Sequence, residues 1–255
     1  MGKVIAIANQ KGGVGKTTTS INLAASLVKT RRRVLLVDLD PQGNATMGSG
    51  IDKSAIEHST YEVLIGIGEI QNARVKVEGG YDVVPTNSNL AGAEVELVNL
   101  DRREVRLRLA LESVRDDYDF ILIDCPPSLS LLTVNAFAAS QTVMIPMQCE
   151  YYALEGLTDL IQTIRLVRQN LNPELEIEGL LRTMYDPRNN LANEVSAQLR
   201  EHFGDKLYRT IIPRNVRLAE APSFGKPVIS YDMQSKGAQA YLALAGEILR
   251  REEAA

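Results

Sequence analysis

Residues 4–18 of the chain read Val-Ile-Ala-Ile-Ala-Asn-Gln-Lys-Gly-Gly-Val-Gly-Lys-Thr-Thr, and this stretch determines the fold. The apolar run at residues 4–8 predicts a buried strand, and the periodic stretch at 17–30 predicts a helix. The glycines between them allow a tight turn whose N–H groups face phosphate oxygens, next to the positive end of the helix dipole. In such a loop Lys16 reaches the β- and γ-phosphates, and the Thr17 hydroxyl binds Mg²⁺. The predicted nucleotide-binding residues of the loop are Lys11, Gly12, Gly13, Val14, Gly15, Lys16, Thr17 and Thr18.

Short apolar runs alternate with helical patterns along the rest of the chain. The strand-like runs are residues 4–8, 34–37, 81–84, 120–123, 142–146, 177–181 and 207–212. The clearest helical patterns are residues 17–30, 104–114, 154–170 and 193–203. This alternation predicts an α/β fold, a doubly wound, mostly parallel sheet with helices on both faces. We expect one domain over residues 1–255, with loops and short helices at 48–80 and ligands at the carboxyl ends of the strands.

The composition fits a cytoplasmic protein with an aliphatic core. Hydrophobic residues make up 45% of the chain, aromatic residues only 5%, and Trp is absent, as suits a parallel sheet covered by helices. Two cysteines do not make a disulfide framework, and we expect neither a secretory signal nor a membrane span. The formal net charge of -4 argues mildly against nucleic acid, although a local basic patch would still bind it.

Carboxylates follow two further apolar runs. The second run ends in Asp38-Leu39-Asp40-Pro41-Gln42-Gly43-Asn44, where the proline and glycine break the strand. Two carboxylates one residue apart at such a break are suited to a magnesium and water site. The run at residues 120–123 is followed by Asp124, the expected position of a carboxylate that binds Mg²⁺, often through water. A loop with helix-capping acids is the alternative interpretation of the first motif.

The phosphate loop departs from the standard pattern, because Gln10 stands where the first glycine is usual and Lys11 is added. This variant resembles the deviant Walker A box of the ParA/MinD group of P-loop ATPases. The resemblance implies that the protein binds and hydrolyses ATP with Mg²⁺, and that Lys11 reaches the nucleotide of a partner subunit, like an arginine finger. It also implies that Asp40 positions the attacking water and that Asp38 supports the metal. A carboxylate is a weak base at neutral pH, so slow hydrolysis is expected.

The stretch at residues 211–222, Ile-Ile-Pro-Arg-Asn-Val-Arg-Leu-Ala-Glu-Ala-Pro, narrows the resemblance to the Soj branch of chromosomal ParA proteins. Pro213 and Asn215 are predicted to lie at the adenine edge. The resemblance implies a homodimer bridged by ATP, nonspecific binding to double-stranded DNA, a nucleoid-associated location and a ParB-like activator protein. By position, Arg188 and Arg217 are the predicted DNA-binding residues. Each is equally consistent with an ordinary solvated surface charge.

Two other functions share the phosphate loop. A MinD-like membrane-associated ATPase would end in a basic amphipathic helix, whereas residues 246–255 combine two arginines with neighbouring acids and no aromatic anchor. A metabolic P-loop ligase of the dethiobiotin synthetase type would need a specific small-molecule pocket. The motif at residues 38–44 favours the partitioning function over the ligase.

Overall fold

The computed structural model describes residues 2–151 and 153–254, without the side chains of residues 153–155. The strands are β1 (Lys3–Ile7), β2 (Val34–Asp38), β3 (Val75–Lys76), β4 (Asp82–Val84), β5 (Phe120–Asp124), β6 (Thr142–Gln148), β7 (Glu176–Tyr185) and β8 (Leu207–Pro213). The helices are α1 (Lys16–Lys29), α2 (Asn44–Gly48), α3 (Thr60–Ile65), α4 (Ile70–Ala73), α5 (Leu90–Leu97), α6 (Arg106–Glu112), α7 (Leu131–Ala139), α8 (Ala153–Asn170), α9 (Asn190–Phe203), α10 (Val216–Glu220), α11 (Val228–Tyr231) and α12 (Lys236–Glu253). None of the helices in this part of the chain combines the length and apolar character needed to cross a membrane.

The strands form one sheet in the order β3-β4-β2-β5-β1-β6-β7-β8, which confirms the predicted doubly wound, mostly parallel fold. Each described strand pair is parallel except β3 with β4. The sequence prediction missed β3, which lies within the stretch expected to hold only loops and short helices. Two residues are too few to show a strand periodicity, and the pairing with β4 is antiparallel at the sheet edge.

Apolar side chains cover both faces of the sheet. Along β1, Val4 and Ala6 belong to one buried cluster, whereas Ile5 and Ile7 belong to the other. The second cluster includes the inner faces of α1 and α12, so these helices pack on the same side of the sheet. A continuous apolar strand is what burial on both faces requires, and the central strands accordingly lack alternating polar residues.

Strand register brings the sequence motifs to one edge. Ile7 at the end of β1 lies beside Asp124 at the end of β5, and Asp38 at the end of β2 lies on the other side of Asp124. The phosphate loop and both carboxylate motifs therefore meet at the carboxyl edge, where open parallel sheets bind ligands.

Candidate nucleotide and magnesium site

The phosphate loop connects β1 to α1 through backbone conformations that need glycine. Gly13 and Gly15 have φ angles of 75° and 89°, in the left-handed region that side chains disfavour. A Cβ atom built on Gly12 or Gly13 would have no neighbour within 4 Å, so this backbone borders open space. The loop is fastened from behind, because the Thr183 hydroxyl on β7 donates to the Val14 carbonyl at 2.7 Å. The loop is thus held on one side by a hydrogen bond and open on the other, as phosphate binding requires.

A cavity of about 600 Å³ lies against this loop. Lys16 enters it from the first turn of α1 and is only 7% exposed, and its ammonium donates to the Lys11 carbonyl at 3.2 Å. Burial lowers the pKa of Lys16, while the nearby carboxylates of Asp124 and Asp40 act in the opposite direction. A desolvated ammonium beside a glycine-rich loop is suited to hold the terminal phosphates of a nucleotide.

The Asp124 carboxylate is fully buried between two hydroxyl donors of α1. Thr17 donates to one carboxylate oxygen and Ser20 to the other, both at 2.8 Å. Burial raises the pKa of Asp124 to about 6, and these hydrogen bonds partly offset the shift. A threonine hydroxyl paired with a carboxylate fits Mg²⁺, which takes oxygen ligands and binds through one or two carboxylates together with phosphates. Thr17 is the member of the pair that lines the cavity.

Asp38 does not line the cavity, and neither does Asp124, so the metal-supporting role of Asp38 stays a prediction. Its side chain is fully buried, with one oxygen accepting from the Thr46 N–H and hydroxyl at 2.8 and 2.7 Å. The other oxygen accepts from the Asp40 N–H at 3.2 Å. Burial, together with the neighbouring charge of Asp124, raises the pKa of Asp38 to about 8. In this geometry Asp38 fixes the backbone of the following loop and start of α2.

Asp40 lines the cavity and is 8% exposed. One of its carboxylate oxygens accepts the Gln42 N–H at 3.0 Å, which orients the side chain. The loop then turns at Gly43, whose φ of 62° is left-handed. Asp40 therefore presents a carboxylate at the same cavity as Lys16 and Thr17, the arrangement that the motif predicted.

The side chain of Lys11 points away from the cavity that Lys16 enters. Its ammonium forms an ion pair with Glu150, which follows β6, and both side chains are more than 40% exposed. Lys11 does not line the nucleotide cavity of its own chain. The two lysines of one loop thus point to different places, one into the site and one toward solvent.

The far end of the cavity is formed by the segment that the sequence assigned to the adenine edge. Pro213 and Asn215 both line it, together with apolar side chains of α1 and α10. The Asn215 side chain accepts from the Leu218 N–H at 3.3 Å, so it also caps α10. Met184, at the end of β7, lines the same end with a left-handed φ of 49°. The cavity accordingly runs from a polar phosphate loop to a more apolar end, as a nucleotide requires.

The two arginines predicted to bind DNA are exposed but carry partners of their own. Arg188 makes a two-pronged contact with Asp186, at 2.9 and 2.7 Å. Arg217 contacts Glu220 at 2.8 Å and Asp232 at 3.4 Å. The structure therefore supports their surface position, while each charge is partly neutralised within the chain.

Several supporting residues escaped the sequence prediction. Ser20, Thr46, Thr183 and Glu150 hold, respectively, Asp124, Asp38, the phosphate loop and Lys11. Ser20 and Thr46 had a signal in the sequence, since each is a hydroxyl residue within two helical turns of a motif residue. Thr183 and Glu150 had none, because both are distant in sequence from the residues that they hold, on β7 and just after β6.

Comparison with known proteins identifies the family. Residues 2–177 match the family model described as AAA domain. The sporulation initiation inhibitor protein Soj of Bacillus subtilis is 57% identical over 97% of this chain and 98% of its own length. The chain belongs to the ParA/Soj family of chromosome-partitioning ATPases. Another member, the chromosome partitioning protein ParA of Myxococcus xanthus, is 56% identical over 99% of this chain and 89% of its own.

A solved structure agrees with the site geometry. A Mycobacterium smegmatis protein, described as cobyrinic acid a,c-diamide synthase with bound ATP analog and magnesium, superposes with a TM-score of 0.88. It is 39% identical, over 99% of this chain and 96% of that one. The chain thus belongs to a family of ATPases, and a similar solved protein holds nucleotide and Mg²⁺. Both findings agree with a cavity that is lined by the phosphate loop and by Thr17, the partner of Asp124.

Proposed function

We propose that this protein is an ATP-dependent switch for DNA segregation. Two ATP-bound subunits form a sandwich dimer that binds DNA without sequence preference, and slow hydrolysis releases it. Chromosome-partitioning relatives that cover nearly the whole chain support this function. The proposal treats residues 1–255 as one domain that acts in the cytoplasm at the nucleoid. It also includes a ParB-like partner that stimulates an otherwise weak activity.

The observation that carries the dimer is the divergence of Lys11 and Lys16. Lys16 is buried at the cavity of its own subunit, where its ammonium can contact the terminal phosphates. Lys11 stands outside that cavity with its ammonium at the surface, beside the edge where the phosphate loop opens. A cation in this position can neutralise the nucleotide of a facing subunit as the γ-phosphoryl leaves. ATP would then hold two subunits together through each other's loops.

Within one subunit, the other residues of the site have separate roles in ATP hydrolysis. Thr17 and Asp124 would hold Mg²⁺, which would supply positive charge to the terminal phosphates, and Ser20 fixes Asp124 through a hydrogen bond. Asp40 orients the attacking water at the cavity wall, and Asp38 sets the position of Asp40 through its N–H. A carboxylate as the only base gives slow turnover, which suits a timing switch.

DNA binding would use Arg188 and Arg217, as the resemblance implies. Guanidinium groups bind phosphate without reading sequence, so affinity depends on salt. Each arginine must exchange a partly exposed carboxylate partner for a phosphate. Ion pairs at the protein surface are weak, so this exchange costs little free energy.

The dimer is tested by comparing Lys11→Ala with Lys16→Ala. Light scattering coupled to size exclusion would be recorded with ADP, with ATP and without nucleotide, next to ATP binding and hydrolysis assays. Lys16→Ala should lose ATP binding. Lys11→Ala should bind ATP yet remain monomeric and inactive. The sandwich is refuted if Lys11→Ala dimerises and hydrolyses ATP like the wild type.

A MinD-like membrane function requires a C-terminal helix free to lie on lipid. Helix α12 instead buries Tyr241, Leu244 and Ile248 against the second apolar cluster. Its apolar side is thus occupied within the protein, which argues against that alternative. Sedimentation with anionic liposomes and ATP tests it, and pelleting of the wild type would revive it.

The amide-synthase description of the solved relative favours a second candidate, a metabolic P-loop ligase. An amide synthase that releases ammonia from a carboxamide donor by covalent catalysis would use an activated nucleophile such as a cysteine thiolate. The two cysteines of this chain, Cys125 and Cys149, are buried, and burial raises the pKa of both thiols, that of Cys149 to about 11. Neither has the exposed, low-pKa thiol of a nucleophile. Amidation of cobyrinic acid with ATP and glutamine or ammonia, faster than DNA-free ATP hydrolysis, would establish the ligase.

A further inference from the structure

A second and larger crevice runs along the outer edge of β8. It has a volume of about 1500 Å³ and is bounded by α9, β8 and the C-terminal half of α12. Its lower part is formed by residues at the starts of strands, including Lys3, Thr142 and Glu176, on the side opposite the carboxyl edge. It shares no lining residue with the nucleotide cavity. This surface therefore stays accessible when two subunits meet across their phosphate loops.

The crevice contains three arginines without partners. Arg200 on α9, Arg209 on β8 and Arg250 on α12 are exposed and line it together. Within residues 2–151 and 153–254, their guanidinium groups form no hydrogen bond or ion pair with protein. This differs from Arg188 and Arg217, which are each tied to carboxylates. The three guanidinium groups are therefore available to an anionic ligand.

Seven cationic and five acidic side chains line the crevice, and two of the acids, Glu247 and Glu178, are engaged within the chain. Glu247 accepts the consecutive N–H groups of Arg209 and Thr210, each at 2.8 Å, and also pairs with Arg251. Glu178 is buried and paired with Lys3 at 2.9 Å. These two acids therefore already have partners other than the guanidinium groups of the three arginines, and the cationic side chains outnumber the acidic ones in the crevice. Since Glu247 occupies the N–H groups of the strand edge, an added peptide strand would find no donors at this point.

The floor of the crevice carries one more cation. Arg182 is 2% exposed, and its guanidinium donates to the Ser196 hydroxyl at 2.9 Å and to the Tyr208 carbonyl at 2.8 Å. Its Nε atom is buried without a protein partner. Arg182 is thus rigidly held below the exposed arginines and adds fixed positive potential to the crevice.

We propose that this crevice is a surface for the phosphate backbone of double-stranded DNA, bound through Arg200, Arg209 and Arg250. This inference rests on the proposed DNA-binding function. Guanidinium groups match phosphate oxygens in pairs, and the crevice exceeds the volume typical of small-ligand sites. A long anionic polymer satisfies both features. In an ATP-bridged dimer two such surfaces act on one duplex, so dimerisation raises DNA affinity through avidity.

The test compares two triple variants that lose equal charge. The crevice variant carries Arg200→Gln, Arg209→Gln and Arg250→Gln. The control variant carries Arg32→Gln, Lys76→Gln and Arg165→Gln, at exposed positions that do not line the crevice. Binding to a fluorescent 30-base-pair duplex would be followed by anisotropy over a salt series, with a nonhydrolysable ATP analogue. Thermal unfolding and ATP hydrolysis without DNA confirm that both variants are folded.

The expected result is a loss confined to the crevice variant. Each lost phosphate contact lowers the slope of log affinity against log salt by roughly 0.9, so the slope should fall by about 3 per subunit. DNA affinity should fall roughly tenfold or more at moderate salt. Equal binding by the crevice and control variants overturns the inference and leaves the proposed function intact. Wild-type protein that binds no DNA with any nucleotide overturns both.

A polyglutamate probe separates DNA from an acidic protein partner. Wild-type protein that binds polyglutamate through these arginines, with DNA affinity unchanged in the crevice variant, overturns the DNA assignment in favour of an acidic partner.

Discussion

Replacing Ser20 by alanine should destabilise the protein through Asp124, whereas the same change at Ser26 should not. Both serines lie on α1 and both are fully buried. The Ser20 hydroxyl lies 2.8 Å from an Asp124 oxygen and 3.0 Å from the Lys16 carbonyl, and its one proton is donated along the shorter contact, to the carboxylate. Among the described residues the Ser26 hydroxyl has no hydrogen-bond partner. The two substitutions therefore remove the same atom from the same helix and differ in the hydrogen bond.

The magnitude follows from the partner that is left behind. Without Ser20, one Asp124 oxygen keeps no protein donor among the described residues, while the other still accepts from Thr17. A buried neutral group that loses its partner costs about 1–3 kcal/mol and a charged group costs more, but the remaining hydrogen bond from Thr17 moderates the loss at Asp124. We expect a loss of about 2 kcal/mol for Ser20→Ala. For Ser26→Ala the removal of an unpaired hydroxyl should be neutral or slightly stabilising.

Urea and thermal unfolding of both variants measure this difference. The assay is run at pH 8 without nucleotide, so that the carboxylate of Asp124 is charged. A loss of 2 kcal/mol lowers the melting temperature by about 4–8 °C in a chain of this size. The hydrogen bond from Ser20 lowers the pKa of Asp124, so its loss should leave a larger fraction of this carboxyl protonated. The Ser20→Ala variant should therefore need more Mg²⁺ for ATP hydrolysis. Equal stability of the two variants would refute the reasoning.

Three further predictions follow from the site and sheet edge. Burial raises the pKa of Asp38 to about 8 and of Asp124 to about 6, so the folded state holds protons that the unfolded state has released. The nucleotide-free protein should therefore lose stability as the pH rises from 5 to 9, measured by thermal unfolding, and a flat profile would contradict this. Glu247→Ala should leave two N–H groups of the edge strand unpaired and cost about 2–4 kcal/mol with increased aggregation, as measured by urea unfolding and light scattering. Glu253→Ala, at the exposed end of the same helix, should be neutral in both assays, and equal behaviour of the two variants would contradict this. Gly15→Ala places a residue with a side chain at a φ of 89°, and the loop must change its conformation to relieve the strain. This variant should therefore lose ATP binding in a filter or calorimetric assay. Unchanged affinity would show that the loop conformation is not needed.

The phosphate loop could be predicted because all its information is contiguous. Strand, glycines, lysine, threonine and helix follow each other within residues 4–30, and local geometry then places Lys16 and Thr17. Asp124 and Asp40 could also be placed, since parallel strands end at one edge of the sheet. The same reasoning brought Pro213 and Asn215 to the cavity, where both are found.

The partners of these residues were harder to predict. Lys11 and Glu150 are 139 residues apart, and nothing local marks Glu150 as the partner. The Asp-x-Asp motif does not tell which carboxylate faces the cavity. In the structure Asp40 lines the cavity, whereas the buried Asp38 carboxylate accepts a hydrogen bond from the Thr46 hydroxyl. The acids beside Arg188 and Arg217 are near in sequence or space, but an ion pair depends on side-chain geometry that a motif does not contain.

The central claim is that ATP switches DNA binding on. The most direct measurement is binding of the wild type to a nonspecific duplex with ADP or ATP across a salt series, next to Lys16→Ala, Asp40→Ala and Arg217→Ala. We predict binding with ATP alone, persistent binding by Asp40→Ala, and loss in Lys16→Ala and Arg217→Ala. Wild-type protein that fails to bind DNA with ATP at low salt, or that binds equally with ADP, would contradict the account.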